Sequence, residues 1–444
     1  MEKKSVYEME KRELTILYEE MEPYNDLFFF CPHCKKRVID SVLDQIAGVV
    51  CTCPSCRTQV TGLVPVVNHL LEDFLGIRGD NAPQVLQDTT LKKSLSGMFT
   101  GIGLYGPQIP LVVPKSFSLE VTYHCNLQCR HCYAHNPGGD ELTTEEVLTV
   151  VKDIAETGFG TVALSGGEPL LRKDVSDIVR EIHEYNMFSV LVTNGTLISN
   201  EMLKSLKTLE VACISVDSHE KTLHDNFRGV PGAWDKTIEG IKTCVEEGIT
   251  AWIFSMVTTF NYRHIDELVT LAEDLGVEGV TFLDIYPTGK AAAAEVRENY
   301  QIGLHEMNTV AQKVHNLQSQ YDINLELECP SSILIPEDFH LNRRALLSGG
   351  CTAGISLCNL TPDGYIQPCP KLRVNLGNVR NKTIKELWKE SPILTDLRNR
   401  DNLKGQCGAC TYTYVCGGCR ARAYFYYGNY LEEDPRCMFA QHSP

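Results

Sequence analysis

The chain has 444 residues, 43% of them hydrophobic, which predicts two or three folded domains and argues against wholesale disorder. Its formal net charge of −16 argues against DNA or RNA as the main partner, because phosphate binding requires a basic surface. No apolar run is long enough to span a bilayer, so no transmembrane span is predicted. Met1–Lys4 leads into a charged segment and not into an apolar signal sequence. We therefore expect a cytoplasmic, reducing compartment.

Residues 1–64 combine an amphipathic helical pattern with two Cys-Pro-x-Cys pairs. Cys31 and Cys34 form the first pair, and Cys53 and Cys56 form the second. This spacing predicts a tetrahedral site of four sulfurs, which fits either zinc or a single rubredoxin-like iron. We interpret the segment as a structural metal ribbon, since a module this small needs a metal to fold.

Residues 65–114 are predicted to form a helix followed by an irregular linker. Within them, Met98–Val113 is apolar, uncharged and interrupted by glycine and proline. We interpret this stretch as a linker buried against the next domain, with a lipid-facing loop as the alternative.

Residues 115–330 alternate apolar strand patterns with helical patterns, which predicts βα units and a parallel sheet. A capping box at Thr143 and Glu146 predicts that the first of these helices begins at Thr144. The strand candidates are Phe117–Val121, Thr161–Leu164, Ser189–Thr193, Val211–Val216, Ala251–Val257 and Gly279–Ile285.

Three cysteines follow the first strand with C-x3-C-x2-C spacing: Cys125, Cys129 and Cys132. Three thiolates can ligate three irons of a 4Fe–4S cube and leave the fourth iron open to a small molecule. The alternatives on spacing alone are three buried thiols or half of a zinc site.

Further candidate residues stand where the predicted strands end, and parallel βα folds bind ligands at the carboxyl ends of their strands. Gly166 and Gly167 allow close approach of the backbone to a ligand, and Glu168 can receive an ammonium group. Asn194 and Ser215 follow at the ends of the next two strands.

The cysteine triplet and the run Ser165–Pro169 together resemble the radical S-adenosylmethionine (SAM) family. The resemblance implies a partial (βα)6 TIM-like barrel in which the open iron binds the amino and carboxylate groups of SAM. An electron from the cluster then cleaves SAM to a 5′-deoxyadenosyl radical, which abstracts a hydrogen atom from the substrate. The predicted SAM contacts are Tyr133 near the adenine, Gly166, Gly167 and Glu168 at the ammonium group, Asn194 and Ser215 at the ribose or carboxylate, and Arg228 as a clamp on the methionine carboxylate.

Residues 331–444 contain a second cysteine-rich region. Eight thiolates would fully ligate two 4Fe–4S clusters, and the pattern resembles the SPASM extension of radical SAM enzymes. Cys416 and Cys419 are separated by two residues, where that family usually has three. By resemblance, one auxiliary cluster uses Cys351, Cys358, Cys369 and Cys419, and the other uses Cys407, Cys410, Cys416 and Cys437.

Two local runs, Cys416–Ala423 and Glu433–Cys437, resemble the haem-biosynthesis branch of that family, whose members alter side chains of modified porphyrins. The N-terminal metal module departs from that branch. Arg373, Arg420 and Arg422 could receive substrate carboxylates, or they could form a solvated basic face or tune a cluster.

These features predict an oxidoreductase with three 4Fe–4S clusters, SAM, and one zinc or mononuclear iron. Its substrate would be a tetrapyrrole side chain, a lipid chain or a peptide, and its electron donor a ferredoxin or flavodoxin. Oxygen-sensitive clusters favour an anaerobic host. The alternative is a non-enzymatic electron-transfer protein with several clusters, which would make no 5′-deoxyadenosine.

The cysteine assignments make a first prediction. Cys125→Ala should abolish SAM cleavage, because it removes a ligand of the reactive cluster, whereas Cys31→Ala should chiefly harm folding. The measurements are 5′-deoxyadenosine release with dithionite, and the yield of folded protein. Equal loss of activity in a well-folded Cys31→Ala variant would contradict the structural interpretation of the N-terminal site.

Overall fold

The computed structural model describes residues 115–134, 139–328, 350–410, 413 and 416–437, together with four short strands nearer the N-terminus. The chain divides into two compact units. One comprises residues 1–113 and 336–349, and the other comprises residues 114–335 and 350–444.

The first unit contains two antiparallel strand pairs. Strand β1 (Phe29–Phe30) pairs with β2 (Arg37–Val38), and β3 (Cys51–Thr52) pairs with β4 (Gln59–Val60). The predicted ligands Cys31, Cys34, Cys53 and Cys56 lie outside the described residues, as does the apolar stretch 98–113.

The second unit is built on seven parallel strands, and every predicted strand of the barrel is present. The strands are β5 (Ser116–Thr122), β6 (Thr161–Gly166), β7 (Phe188–Thr193), β8 (Val211–Ser215), β9 (Thr250–Met256), β10 (Gly279–Leu283) and β11 (Asn324–Glu328). The helices between them are α1 (Thr144–Thr157), α2 (Val175–Glu184), α3 (Asn200–Ser205), α4 (Lys221–Arg228), α5 (Ala233–Glu246), α6 (Ile265–Asp274), α7 (Ala294–Tyr300) and α8 (Leu304–Leu317).

Helix α1 shows how the sequence dictates these elements. Its buried residues Val147, Val150, Val151 and Ile154 recur at helical spacing and form the stripe that packs inward. The predicted capping box is confirmed: the Thr143 hydroxyl accepts from the Glu146 N–H, and the Glu146 carboxylate accepts from the Thr143 N–H.

The strands follow one another in sequence order from β5 to β11, so the sheet is the open, barrel-like parallel sheet that the sequence predicts. Strand β11 is an addition to the six predicted strands. Its Leu-Glu alternation lacks the continuous apolar run of a strand that is buried on both faces.

The C-terminal region extends the same sheet. Strand β12 (Leu357–Leu360) pairs in parallel with β5, and β13 (Tyr365–Gln367) and β14 (Gly377–Asn378) continue the sheet in antiparallel order. Four helices follow: α9 (Ile384–Glu390), α10 (Pro392–Arg398), α11 (Gly405–Ala409) and α12 (Arg420–Tyr427).

An aromatic cluster joins these helices to the sheet. The ring of Phe117 on β5 lies 5.0 Å from that of Phe159, which in turn lies 5.1 Å from Trp388 on α9. Both contacts have the edge-to-face geometry that aromatic rings prefer. Within the part of the chain that the structure describes, no helix is long and apolar enough to cross a bilayer.

This packing predicts that Trp388→Ala destabilises the protein by about 3–5 kcal/mol, because a large buried ring leaves a cavity. The exposed Tyr424 gives a matched aromatic control, whose replacement by alanine should cost less than about 0.5 kcal/mol. Urea unfolding followed by circular dichroism measures both. Equal unfolding midpoints for the two variants would contradict the prediction.

Candidate functional site

The cysteine triplet lies on the loop that leaves β5, and main-chain hydrogen bonds fix this loop to the end of α4. The N–H of Gln128 donates to the carbonyl of Arg228 at 3.0 Å, and the N–H of Arg130 donates to that of Phe227 at 3.0 Å. The carbonyl of Cys132 accepts from the N–H of Lys290 at 2.8 Å. The loop is therefore held by elements that follow β8 and β10.

Glycines permit this close packing at three turns. A Cβ atom on Gly167 would stand 2.1 Å from the carbonyl oxygen of His124, and one on Gly289 would stand 2.4 Å from that of Cys132. A Cβ atom on Gly229 would stand 2.5 Å from the carbonyl oxygen of Gln128, and Gly229 also has a positive φ of 76°. Only glycine allows these backbones to meet.

The three thiols have the chemistry of a donor set for a multi-iron cluster. Burial raises the pKa of Cys125 to about 11 and also raises that of Cys132, and the neighbouring thiols act in the same direction. Cationic irons would reverse this effect by stabilising the thiolates. Among the described residues no three such side chains are close enough to hold one ion, whereas the ligands of a cube each bind a different iron.

Arg228, the predicted clamp on the SAM carboxylate, lies beside this donor set. Its Nε and Nη2 donate to the two carboxylate oxygens of Asp217 at 2.6 and 3.0 Å, while Nη1 lies 3.8 Å from the sulfur of Cys129. Nε and Nη2 are thus bonded to Asp217, while Nη1 faces the cysteine loop. Asp217 is fixed in turn by the N–H of Met256 at 3.0 Å.

Glu168, the predicted receptor for the SAM ammonium group, lies in the turn directly after β6. The side chain is fully buried, and its oxygens accept from the hydroxyl of Thr193 at 2.7 Å and from the N–H groups of Asn194 and Leu170 at 2.8 and 3.2 Å. Burial raises the pKa of Glu168 against these hydrogen bonds. The carboxylate ties the turn after β6 to the end of β7.

The remaining predicted contacts stand around the loop. Asn194 donates through Nδ2 to Asn126 in the cysteine loop at 2.9 Å. Ser215 is half-buried at the end of β8, and within the described chain its hydroxyl has no hydrogen-bond partner. Tyr133 is bonded to Ser165, and the Arg373 guanidinium lies 5.4 Å from the centre of its ring. Gly166 has a φ of 130°, a conformation that favours glycine.

One face of the sheet near these residues is only partly covered. Along β9, Trp252, Phe254 and Met256 are half-exposed and alternate with buried residues, so they share the face opposite the packed helices. Ser215 pairs with Phe254 across β8 and β9, which places the serine on the same face. The open face is thus lined by an aromatic and thioether surface.

Charged side chains flank this face. Arg373 contacts the fully buried carboxylate of Glu120 at 2.9 Å, and Asn359 on β12 donates to the same carboxylate at 3.1 Å. Lys371 forms an ion pair with Glu328 at the end of β11. Sequence reasoning missed Glu120, although a carboxylate within an apolar parallel strand is itself a signal of function.

The structure describes all eight C-terminal cysteines. The thiols that influence one another's pKa indicate two separate groups. In the first, the thiol of Cys351 raises the pKa of both Cys369 and Cys419. In the second, Cys407 and Cys437 both raise the pKa of Cys416. Cys410 precedes the loop that holds Thr413, whose hydroxyl is bonded to the carbonyls of Cys407 and Cys410.

Cys358 has a distinct setting. It lies on β12 opposite Phe117, on the face that carries the aromatic cluster, while its neighbour Asn359 points to Glu120 on the other face. Burial raises the pKa of the Cys358 thiol, and Cys369 acts in the same direction.

Arg420 and Arg422 are not receptors for substrate carboxylates, because both are fully buried and bonded within the protein. Arg420 donates to the carbonyls of Gly418, Tyr430 and Glu432. Arg422 binds two aspartates. The interpretation of these arginines as a solvated basic face is excluded for the same reason.

Comparison with known proteins agrees with this architecture. Residues 119–275 match the radical SAM superfamily, and residues 351–411 match the SPASM iron–sulfur cluster-binding domain. The chain is 32% identical over 348 residues to an AdoMet-dependent heme synthase of Methanosarcina barkeri, covering 73% of this chain and 97% of that protein. It is 30% identical to an Fe-coproporphyrin III synthase of the same organism, covering 72% and 87%.

A solved structure of SuiB from Streptococcus suis bound to S-adenosylmethionine shares the fold, with a TM-score of 0.63 at 16% identity over 91% of this chain and 94% of that one. The chain belongs to the radical SAM superfamily, among its SPASM-containing members and in their haem-biosynthesis-like branch. It is an enzyme of 4Fe–4S clusters and SAM, not a non-enzymatic electron carrier. The bound cluster and SAM supply the radical that removes a hydrogen atom from substrate.

The glycine contacts predict a sharp test of the loop. Gly167→Ala should lower SAM cleavage about 10²-fold, because the added methyl displaces the cysteine loop by roughly 1 Å or more. Gly160 is a matched control, since nothing lies within 4 Å of its Cβ position, and Gly160→Ala should keep full activity. The measurements are 5′-deoxyadenosine release and iron content. Unchanged cleavage in Gly167→Ala would show that the loop tolerates the shift.

Proposed function

We propose that this enzyme removes a hydrogen atom from a propionate or acetate side chain of a modified porphyrin. The proposal is carried by the identity to two tetrapyrrole synthases, each matched over most of its own length. The aromatic and thioether surface of β9 supports it, because Trp252 and Phe254 offer flat apolar contact to a macrocycle.

Within this proposal Cys125, Cys129 and Cys132 hold the reactive cluster. Gly166 and Gly167 bring backbone groups to SAM, Ser215 offers its hydroxyl, and Tyr133 packs near the adenine. Glu168 receives the SAM ammonium group and Asn194 approaches the ribose, and their polar atoms also join the strand ends to the loop. Arg228 binds the methionine carboxylate, and its position beside the Cys129 thiolate also compensates the charge of that sulfur.

Two auxiliary 4Fe–4S clusters complete the proposed set of three. Their ligands are Cys351, Cys358, Cys369 and Cys419 for one, and Cys407, Cys410, Cys416 and Cys437 for the other. An electron released when the substrate is oxidised needs an acceptor, and fully ligated clusters are suited to that role. A ferredoxin or flavodoxin would reduce the enzyme.

For residues 1–64 we propose a metal ribbon with Cys31, Cys34, Cys53 and Cys56 around zinc or one iron. The two antiparallel strand pairs support it, because each pair encloses one Cys-Pro-x-Cys segment in sequence. In the same proposal, residues 65–114 link this ribbon to the barrel.

The substrate assignment is tested with the anaerobically reconstituted full-length enzyme, SAM, dithionite and iron coproporphyrin III. We expect porphyrin-dependent 5′-deoxyadenosine release together with a change in porphyrin mass. The tetramethyl ester of the same porphyrin should not react, because it lacks the carboxylates. The proposal fails if added porphyrin does not increase 5′-deoxyadenosine release and the mass of the porphyrin is unchanged after the reaction.

Arg373 is the residue that we expect to hold a substrate carboxylate at the open face. Arg373→Gln should lower kcat/KM for the porphyrin about tenfold, the effect of losing one charged hydrogen bond. Arg380, an exposed arginine paired with Glu146, is the matched control. Arg380→Gln should leave kcat/KM for the porphyrin unchanged. Steady-state kinetics on both variants, with SAM cleavage in the absence of porphyrin as a reference, distinguishes substrate binding from cluster damage.

A further inference from the structure

A buried network of ion pairs connects the end of β10 to the second cysteine region. Arg422 on α12 donates to Asp284, directly after β10, at 2.8 Å, and to both carboxylate oxygens of Asp434 at 2.9 and 2.7 Å. Arg436 reaches Asp284 at 3.2 Å. The side chains of Asp284, Asp434 and Arg422 are at most 1% exposed.

Asp434 contacts one cysteine from each proposed auxiliary set. Its carboxylate accepts from the N–H of Cys419 at 2.8 Å, and its own N–H donates to the sulfur of Cys407 at 3.3 Å. The sulfur of Cys407 also receives Nη2 of Arg420 at 3.5 Å. One aspartate is thus bonded to both cluster sites, and one arginine ties that aspartate to the barrel.

The formal charges of this network balance. Asp284 and Asp434 carry two negative charges, and Arg422 and Arg436 carry two positive charges. Buried charges interact strongly because the surroundings are poorly polarisable. Removing one member would leave a net charge beside both clusters, and net charge and hydrogen bonds to sulfur set the potential of an iron–sulfur cluster.

We propose that Asp434 and Arg422 are positioning residues that couple the potentials of the two auxiliary clusters to each other. Asp434 is hydrogen-bonded to both sites, through its carboxylate at Cys419 and through its main-chain N–H at Cys407, so a change in its charge acts on both sites at short range. This inference rests on the proposed auxiliary ligand sets. It adds to them a pair of residues that keeps the midpoint potentials of the two clusters close to each other.

Two opposite substitutions test it. Asp434→Asn keeps the shape of the side chain and removes a negative charge, so it should raise the midpoint potentials of both auxiliary clusters. Arg422→Gln removes a positive charge and should lower both. If the two residues had only a structural role, both variants would lose cluster content. Electrostatic coupling instead shifts the midpoint potentials in opposite directions in the two variants.

The experiment uses the full-length chain carrying Cys125→Ala, Cys129→Ala and Cys132→Ala, so that only the auxiliary clusters contribute. Potentiometry followed by electron paramagnetic resonance gives the two midpoint potentials, and iron and sulfide content gives the number of clusters. Asp396→Asn is the matched control, since Asp396 is bonded to the hydroxyl of Tyr430 in the same region. Arg436→Gln replaces Arg422→Gln if the latter does not fold, because it changes the same charge balance from a more exposed position.

Shifts of both clusters, upward in Asp434→Asn and downward in the arginine variant, with Asp396→Asn silent, are the expected result. A shift confined to one cluster overturns the coupling, as does a shift of the same sign in both variants or none in either. Fewer than two clusters in the parent variant overturns the ligand sets and the coupling with them. That last outcome is recognised from iron content alone and leaves the porphyrin assay unaffected.

Discussion

Main-chain contact around the cysteine loop is the constraint on which the candidate site depends. The loop after β5 accepts main-chain hydrogen bonds from the turns after β6 and β10, and it donates two to the end of α4. Gly167, Gly229 and Gly289 stand where a larger residue would collide with loop carbonyls. The donor atoms of three thiols are therefore placed by backbone atoms of distant segments, and their positions depend little on side-chain flexibility.

Buried carboxylate–guanidinium pairs are the second feature that surrounds the two cysteine regions. Asp217 with Arg228, Glu120 with Arg373, and Asp284 and Asp434 with Arg422 are all carboxylate–guanidinium pairs at strand ends or beside cysteines. Such pairs contribute little to stability once desolvation is counted, and so their location favours a role in positioning and electrostatics near the reacting groups. Two neutral histidines accompany the first pair, since burial lowers the pKa of His131 to about 3 and that of His224 to about 4.

The elements of the barrel could be predicted from the sequence, because its strands are apolar runs of strand length and α1 has its capping box. Because the strands could be located, the motif residues that directly follow them could be assigned to the carboxyl ends of the strands. The internal hydrogen-bond partners of those residues could not be predicted, because nothing in the sequence indicates that Glu168 accepts from Thr193 or that Arg228 pairs with Asp217. Only the folded chain brings Asp217 to Arg228, or Asp434 to Cys407 and Cys419.

Strand β12 pairs with β5, and the barrel sheet thereby passes without interruption into the region of the auxiliary cysteines. A chain that ended after β11 would leave the main-chain groups of β5 open on one side, directly before the cysteine loop. Open strand edges recruit other chains. The main chain of β12 therefore covers the edge of the strand that leads into the cysteine loop, so the order of that loop depends on residues more than 200 positions later in the chain.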